Sequence, residues 1–226
     1  MDKKYPSSTK VVVIGGGVIG CSVAYHLTKF GWKDVVLLER DQLTSGTTWH
    51  AAGLVSQLGP SASVTKIRKY TLDLYKNLEK EVDHSAGLRL NGALSIAQTD
   101  SRWQELKRQA TTAQLYNIDL RILDKEEIKK RYPMMSIEDL KGGVLMPGDG
   151  SADPSGVTHM LAKGARKGGA KIYEQSPVET ILTKNGRVHG VRVNGQNIEC
   201  EFVVLATGMW SRQIGEKIGV SIPLYP

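Results

Sequence analysis

Residues Lys10–Gly20 read KVVVIGGGVIG, a short apolar run that passes straight into a glycine cluster. The run has no polar–apolar alternation, as expected of a parallel strand buried on both faces. From Val18 to Phe30 the pattern turns helical, and Gly31 stands where a helix takes its C-terminal glycine. A second apolar run, DVVLLE, follows and ends at Glu39. Strand, glycine turn, helix, strand is one βαβ unit, which predicts an α/β fold.

Gly15, Gly17 and Gly20 match G-x-G-x-x-G. In a glycine-rich chain that spacing alone says little, but here it follows a strand and opens a helix. Backbone N–H groups and a helix N-terminus can therefore face a pyrophosphate. Gly15 is expected to allow the tight turn, Gly17 the approach of the phosphate, and Gly20 close packing of helix on strand. Glu39 ends the second strand about 20 residues on, where a carboxylate can accept hydrogen bonds from ribose hydroxyls. FAD and NAD share this fingerprint. FAD is favoured because the late strand FVVLATG brings Thr207 and Gly208 back to the same sheet edge after a long excursion. A second G-x-G-x-x-G that could hold a nicotinamide is also missing.

Between these ends, Val64, Ile67, Thr71, Leu74, Leu78 and Val82 recur at helical spacing. Leu90–Ala97 reads as a strand and Ser101–Tyr116 as a helix. DKEEIKKRYP reads as a short helix capped by Asp124 and stopped at Pro133. Asp153 and Pro154 carry the start signals of a helix ending near Gly168 and Gly169. AKIYE is a strand, and VETILTKNGRVHGVRV is a hairpin about the Asn185–Gly186 turn. The expected organisation is a Rossmann-like FAD-binding domain in two segments, 8–89 and 151–226, with an inserted α+β substrate-domain portion at 90–150.

Composition excludes several classes. A net charge of +7 comes from scattered lysines and arginines without an aromatic–basic stripe, so a nucleic-acid partner is not expected. No apolar run approaches the roughly 20 residues of a membrane span. MDKKYPSSTK has no signal-peptide character. Two cysteines form no disulfide framework, which fits a cytoplasmic setting, or a processed protein of the mitochondrial matrix. Cys21 and Cys200 read as packing residues. His26, His84, His159 and His189 share no metal-ligand spacing, and no metal is expected. Asp149 and Asp153 read as turn and cap residues.

One histidine stands apart. Ser45–Leu54, SGTTWHAAGL, sets His50 and Trp49 among small residues. Taken together, VVVIGGGVIGCSVAYHL, VVLLER, TSGTTWHAAGL, GDGSADPSG and FVVLATGMWS resemble the N-terminal part of the FAD-dependent amine and amino-acid oxidoreductases related to D-amino acid oxidase. TTWHAAGL resembles the sarcosine and dimethylglycine dehydrogenase branch in particular.

The resemblance implies roles for matching residues. Val18 and Ile19 would touch the pyrophosphate alongside Gly15, Gly17 and Gly20. Glu39 and Arg40 would hold the adenosine ribose. Ser45, Thr47, Thr48, Trp49, Ala51 and Ala52 would line the flavin side, and Val178 would meet the adenine edge by its main chain. His50 would bond covalently to the flavin. It also implies oxidative demethylation of a small N-methylated amino acid, dimethylglycine or sarcosine, with electrons passing to an electron-transferring flavoprotein or to oxygen. Substrate-side catalytic residues cannot be named, because the family's fold needs more chain. The C-terminal region that binds tetrahydrofolate in some relatives is absent, and the chain is expected to be incomplete. A non-catalytic regulatory protein of the same fold, like the regulatory subunit of pyruvate dehydrogenase phosphatase, and an NAD-dependent dehydrogenase are the competing readings.

Overall fold

The computed structural model describes residues 4–225. The chain divides into two compact units: one holds the residues up to Ala52, Leu78–Ala86 and those from Asp153 onward, the other Gly53–Asn77 and Gly87–Ala152.

The first unit opens with β1 (Ser8–Ile14), α1 (Val18–Lys29) and β2 (Val35–Leu38), the expected βαβ order. Val11, Val12, Val13 and all of β2 are buried, as a strand covered on both faces requires. Helix α1 turns Gly20, Cys21, Ala24 and Tyr25 inward and ends where the N–H of Trp32 reaches back to the carbonyl of Leu27. A 3₁₀ turn, Thr48–His50, follows.

The second unit contains β3 (Leu54–Val55), most of α2 (Ala62–Val82), β4 (Ala93–Ala97), α3 (Asp100–Leu115), β5 (Arg121–Leu123), α4 (Lys125–Arg131), β6 (Gly142–Met146) and β7 (Gly150–Ser151). Strands β4, β6 and β5 form an antiparallel sheet in that order. Leu123, Ile128, Leu140 and Leu145 make a core cluster beside it. Asp124 and Glu127 form the reciprocal cap of α4. Two expectations shift here. The strand predicted from Leu90 starts only at Ala93, because Gly92 has a φ of 87° and breaks the extended run. On α2, Leu74, Leu78 and Val82 are buried as predicted and Val64 and Thr71 half-buried, but Ile67 is exposed and Leu72 joins the inward stripe.

The chain re-enters the first unit with α5 (Pro154–Lys167), capped by Asp153 as expected, then β8 (Lys171–Tyr173), β9 (Val178–Lys184), β10 (Arg187–Val193), β11 (Gln196–Leu205) and α6 (Ser211–Glu216). The six-stranded sheet has the order β8-β2-β1-β11-β10-β9. Its first four strands run parallel, and β11, β10 and β9 form an antiparallel meander. Val12, Ile14, Val36 and Leu38 share one core face with Ile181, Val191 and Ile198. By strand alternation Val11, Val13, Val35 and Leu37 face the opposite side.

Asn185 and Gly186 both have positive φ, 52° and 73°, the signature of the predicted type I′ turn. Asn194 and Gly195 repeat it at 45° and 72°, joining β10 to β11. That second turn makes β11 longer than the FVVLA strand expected from sequence. Its first residues pair antiparallel with β10 and its later ones parallel with β1. Cys21 and Cys200 are buried free thiols. No helix of the described residues is long and apolar enough to cross a membrane.

Candidate dinucleotide site

Strand order reverses at β1: its outgoing chain crosses to β2 on one side, while β11 lies on the other. Open α/β sheets bind ligands at the carboxyl ends of strands beside such a point. A cavity of about 690 Å³ lies there, within the first unit, bordered by the ends of β1, β2 and β11.

The glycine loop forms its floor. Gly15 has a φ of 110°, and a Cβ there would stand 2.4 Å from the carbonyl oxygen of Ala206, so this turn admits only glycine. A Cβ on Gly20 would lie 1.9 Å from the carbonyl oxygen of Gly15, so the helix closes onto the turn only because that atom is missing. Gly20 itself does not border the cavity; its part is packing, as its place in the fingerprint implies. Gly17, Val18 and Ile19 do border it. The N–H of Val18 donates to Thr48 Oγ1 at 3.0 Å. The rest of the first turn has N–H groups without intrahelical acceptors, and the helix dipole adds partial positive charge there.

Glu39 sits at the end of β2, buried, and accepts the N–H of Gly16 at 2.6 Å and that of Asp41 at 2.9 Å. Beside it the Arg40 guanidinium lies 4.1 Å from the centre of the Trp210 ring. Arg40, Ser45, Thr47, Thr48, Val178, Thr207 and Gly208, all singled out in the sequence, border the cavity. Ser176 and Pro177 complete the wall next to Val178. The N–H groups of Gln175 and Ser176 donate to the carbonyls of Asp41 and Glu39, both at 2.7 Å, tying this wall to the chain after β2.

A matching family model covers residues 10–226 and is described as FAD dependent oxidoreductase. The chain belongs to this family. Among its FAD-dependent relatives, human dimethylglycine dehydrogenase, mitochondrial, is 36% identical over 225 residues, covering 100% of this chain and 26% of that protein. Human sarcosine dehydrogenase, mitochondrial, is 40% identical over 225 residues, covering 97% of this chain and 24% of that protein. The chain thus spans about a quarter of the length of these relatives. The crystal structure of L-proline dehydrogenase from P. horikoshii matches with a TM-score of 0.88 at 28% identity, covering 97% of this chain and 58% of that one. The mixed α/β architecture is that of FAD-dependent oxidoreductases.

Four expected flavin-side residues lie off the cavity. Trp49, His50, Ala51 and Ala52 are exposed and do not border it, because the 3₁₀ turn carries the chain outward after buried Thr48. The His50 ring lies 3.8 Å from that of Trp49, centre to centre. Residues overlooked in the sequence are Gly46, Ser176, Trp210, Gln213, Lys217 and Leu224, all at the cavity. Trp210 had a visible signal, an aromatic two positions after Gly208. Gly46 lies between two residues that were expected there, and Ser176, Gln213, Lys217 and Leu224 become neighbours only through the long-range fold. Among the described residues no group of three or more His, Cys, Asp or Glu side chains is placed to hold a metal ion.

Proposed function

We propose that this protein holds FAD in the cavity and that the activity it serves is oxidative demethylation of dimethylglycine or sarcosine. One observation carries the reading: a glycine loop, a helix N-terminus and the Glu39 carboxylate converge on one cavity, in a chain similar along its whole length to dehydrogenases of those two amines. The cavity fits the group. A Cβ on Gly17 would come 3.0 Å from Thr48 Oγ1, so the hydrogen on that carbon leaves the space a phosphate needs. The volume lies within the roughly 300–1,000 Å³ of small-molecule sites.

Hydride acceptance from the N-methyl carbon is the chemistry the flavin supplies when bound. The chain's own residues bind and orient. Gly15, Gly17, Val18 and Ile19 offer backbone to the pyrophosphate, on a loop that Gly20 packs in place. Glu39 spends one lone pair on each of two backbone N–H groups and keeps others for ribose hydroxyls. Arg40 flanks the ribose, and Val178 meets the adenine edge through its main chain. Ser45, Thr47 and Thr48 would line the flavin side, with Thr207 and Gly208 beyond the end of β11, while Trp49, Ala51 and Ala52 stand outside the cavity. His50, exposed beside the cavity-lining Thr47 and Thr48, is the residue that would hold the flavin through an imidazole nitrogen. Electrons leave to an electron-transferring flavoprotein, and tetrahydrofolate serves as one-carbon acceptor in the region of the relatives beyond this chain. A matrix location follows its mitochondrial relatives.

Anaerobic titration of the flavin-loaded full-length protein tests the reading. Sarcosine or dimethylglycine should bleach the visible absorption of the oxidised flavin. Bleaching by a D-amino acid or glycerol 3-phosphate, and by neither methylated glycine, would contradict it.

A further inference from the structure

The cavity wall at 174–178 is fixed by nothing in the dinucleotide fingerprint, and its backbone is uncommon. Gln175 has a φ of 49°, a left-handed conformation that residues with a Cβ seldom adopt. Such a turn persists only where its surroundings hold it. Two of its backbone N–H groups are held by Glu39 and Asp41, as described above. A third restraint comes from the opposite end of the sequence.

Ser176 is fully buried, and its Oγ donates to the carbonyl of Glu174 at 2.9 Å. The same oxygen lies 2.8 Å from the hydroxyl of Tyr5. Because serine has one hydroxyl hydrogen, and it is given to Glu174, Tyr5 must be the donor to Ser176. The Tyr5 oxygen in turn accepts from Asn194 Nδ2 at 2.8 Å. A directed chain results: Asn194 amide to Tyr5 hydroxyl, Tyr5 to Ser176, Ser176 to the Glu174 carbonyl. Tyr5 is 7% exposed, and its ring meets Tyr173 edge to face, the centres 5.2 Å apart. Asn194 occupies the second type I′ turn, where glycine would serve the backbone equally well; only asparagine supplies the amide.

We propose that Tyr5 is a positioning residue of the dinucleotide site, acting through Ser176 to fix the wall against which the adenosine end rests. The proposal depends on the dinucleotide reading above and extends it to a residue outside the 10–226 span that the family model matches. Loss of the Tyr5 hydroxyl leaves the buried Ser176 Oγ, which still donates to the Glu174 carbonyl, without its own donor, while the exposed Asn194 amide keeps only its 3.4 Å contact with the Gln175 carbonyl. The left-handed turn then relaxes, and affinity drops in proportion to the fraction of molecules that keep the competent wall.

Tyr5→Phe tests this, since it keeps the ring and its contact with Tyr173. Dissociation constants for FAD and for ADP are measured calorimetrically on the parent and variants, alongside thermal unfolding. Tyr5→Phe should weaken both ligands by the same factor, roughly fivefold. Ser176→Ala should weaken ADP similarly, and Tyr5→Phe/Ser176→Ala no further than the stronger single effect, because both break the same directed chain at the Tyr5–Ser176 bond. Ile198→Val, a buried change in the same sheet, should lower the melting temperature without moving ADP affinity. Parent-like ADP binding by Tyr5→Phe, multiplicative effects in the double variant, or an equal ADP loss in Ile198→Val would overturn the assignment. A parent that bound neither FAD nor ADP would overturn the dinucleotide reading and this assignment with it.

Discussion

Glu39 Oε2 lies 2.6 Å from the backbone nitrogen of Gly16, so the residue that follows the second strand braces the loop that leaves the first. The two are 23 positions apart, and the bond ties the chain after β2 to the glycine loop across the cavity. A carboxylate–amide bond of this kind is worth about 1.5–3 kcal/mol. Glu39→Ala should therefore weaken FAD binding about tenfold or more, while Glu39→Gln, which keeps an acceptor oxygen, should lose less. Calorimetric titration checks the order, and equal affinity in parent and Glu39→Ala would show that the brace does not matter.

Gly20 and Gly17 should separate stability from binding. A methyl group on Gly20 collides with backbone, the Gly15 carbonyl at 1.9 Å, and α1 must move away to admit it. Gly20→Ala should cost about 2 kcal/mol or more in thermal or denaturant unfolding. On Gly17 the added carbon meets only Thr48 Oγ1 at 3.0 Å. Gly17→Ala should leave the unfolding midpoint almost unchanged and reduce FAD affinity. The reverse pattern would remove the distinction drawn between packing and phosphate approach.

Asp149 is more than a turn residue. It is 1% exposed, its Oδ1 accepts the backbone N–H of Gln57 at 3.0 Å, and its Oδ2 has no hydrogen-bond partner among the described residues. Burial pushes its carboxyl above the ordinary carboxylate value, against smaller opposing effects from the Gln57 N–H groups and Arg68. The folded state therefore holds the proton more tightly than the unfolded one. Stability from this site is greatest below the unfolded value of 3.8 and is lost as pH rises through the raised folded value. Asp149→Asn should gain about 1 kcal/mol near pH 7 and nothing at the acid end. Urea unfolding at both pH values decides it; a gain independent of pH would contradict this account.

The elements nearest the fingerprint were the most legible. KVVVI, the glycines and DVVLLE each carry a local signal that agrees with the others, and the βαβ unit follows. Asn185–Gly186 identified one hairpin, whereas Asn194–Gly195 passed unread because the strand after it, QNIECEF, is polar on alternate positions and lacks an apolar run. The cavity divides the same way. Residues on the glycine loop and at the ends of β2 and β11 border it and had local signals. Ser176, Lys217 and Leu224 arrive from distant elements and have no local signature. The TTWHAAGL segment shows the limit in the other direction: its sequence points to the flavin, while the cavity stops at Thr48.

Both thiols should be silent in the folded protein. Burial pushes the Cys21 thiol up to about 12 and that of Cys200 to about 11, so neither forms appreciable thiolate near pH 8. A disulfide reagent should react with both only after denaturant is added. Fast reaction of either thiol under native conditions would show that its helix or strand opens readily.

His50 should carry the covalent link. After acid precipitation of the flavin-loaded full-length protein, yellow colour should remain in the pellet and a His50 peptide should show the added flavin mass. His50→Ala should release the flavin and keep noncovalent binding. Covalent flavin in that variant would remove His50 from this role.

The central claim is that the cavity at the strand reversal is built for FAD. Its most direct test is an equilibrium titration of the protein with FAD, followed by quenching of flavin fluorescence, beside a parallel titration with NAD. The account predicts saturable binding of one FAD per chain, competition by ADP, loss of that binding in Gly17→Val, and no comparable NAD affinity. Absence of FAD binding, or NAD bound as tightly, would contradict it.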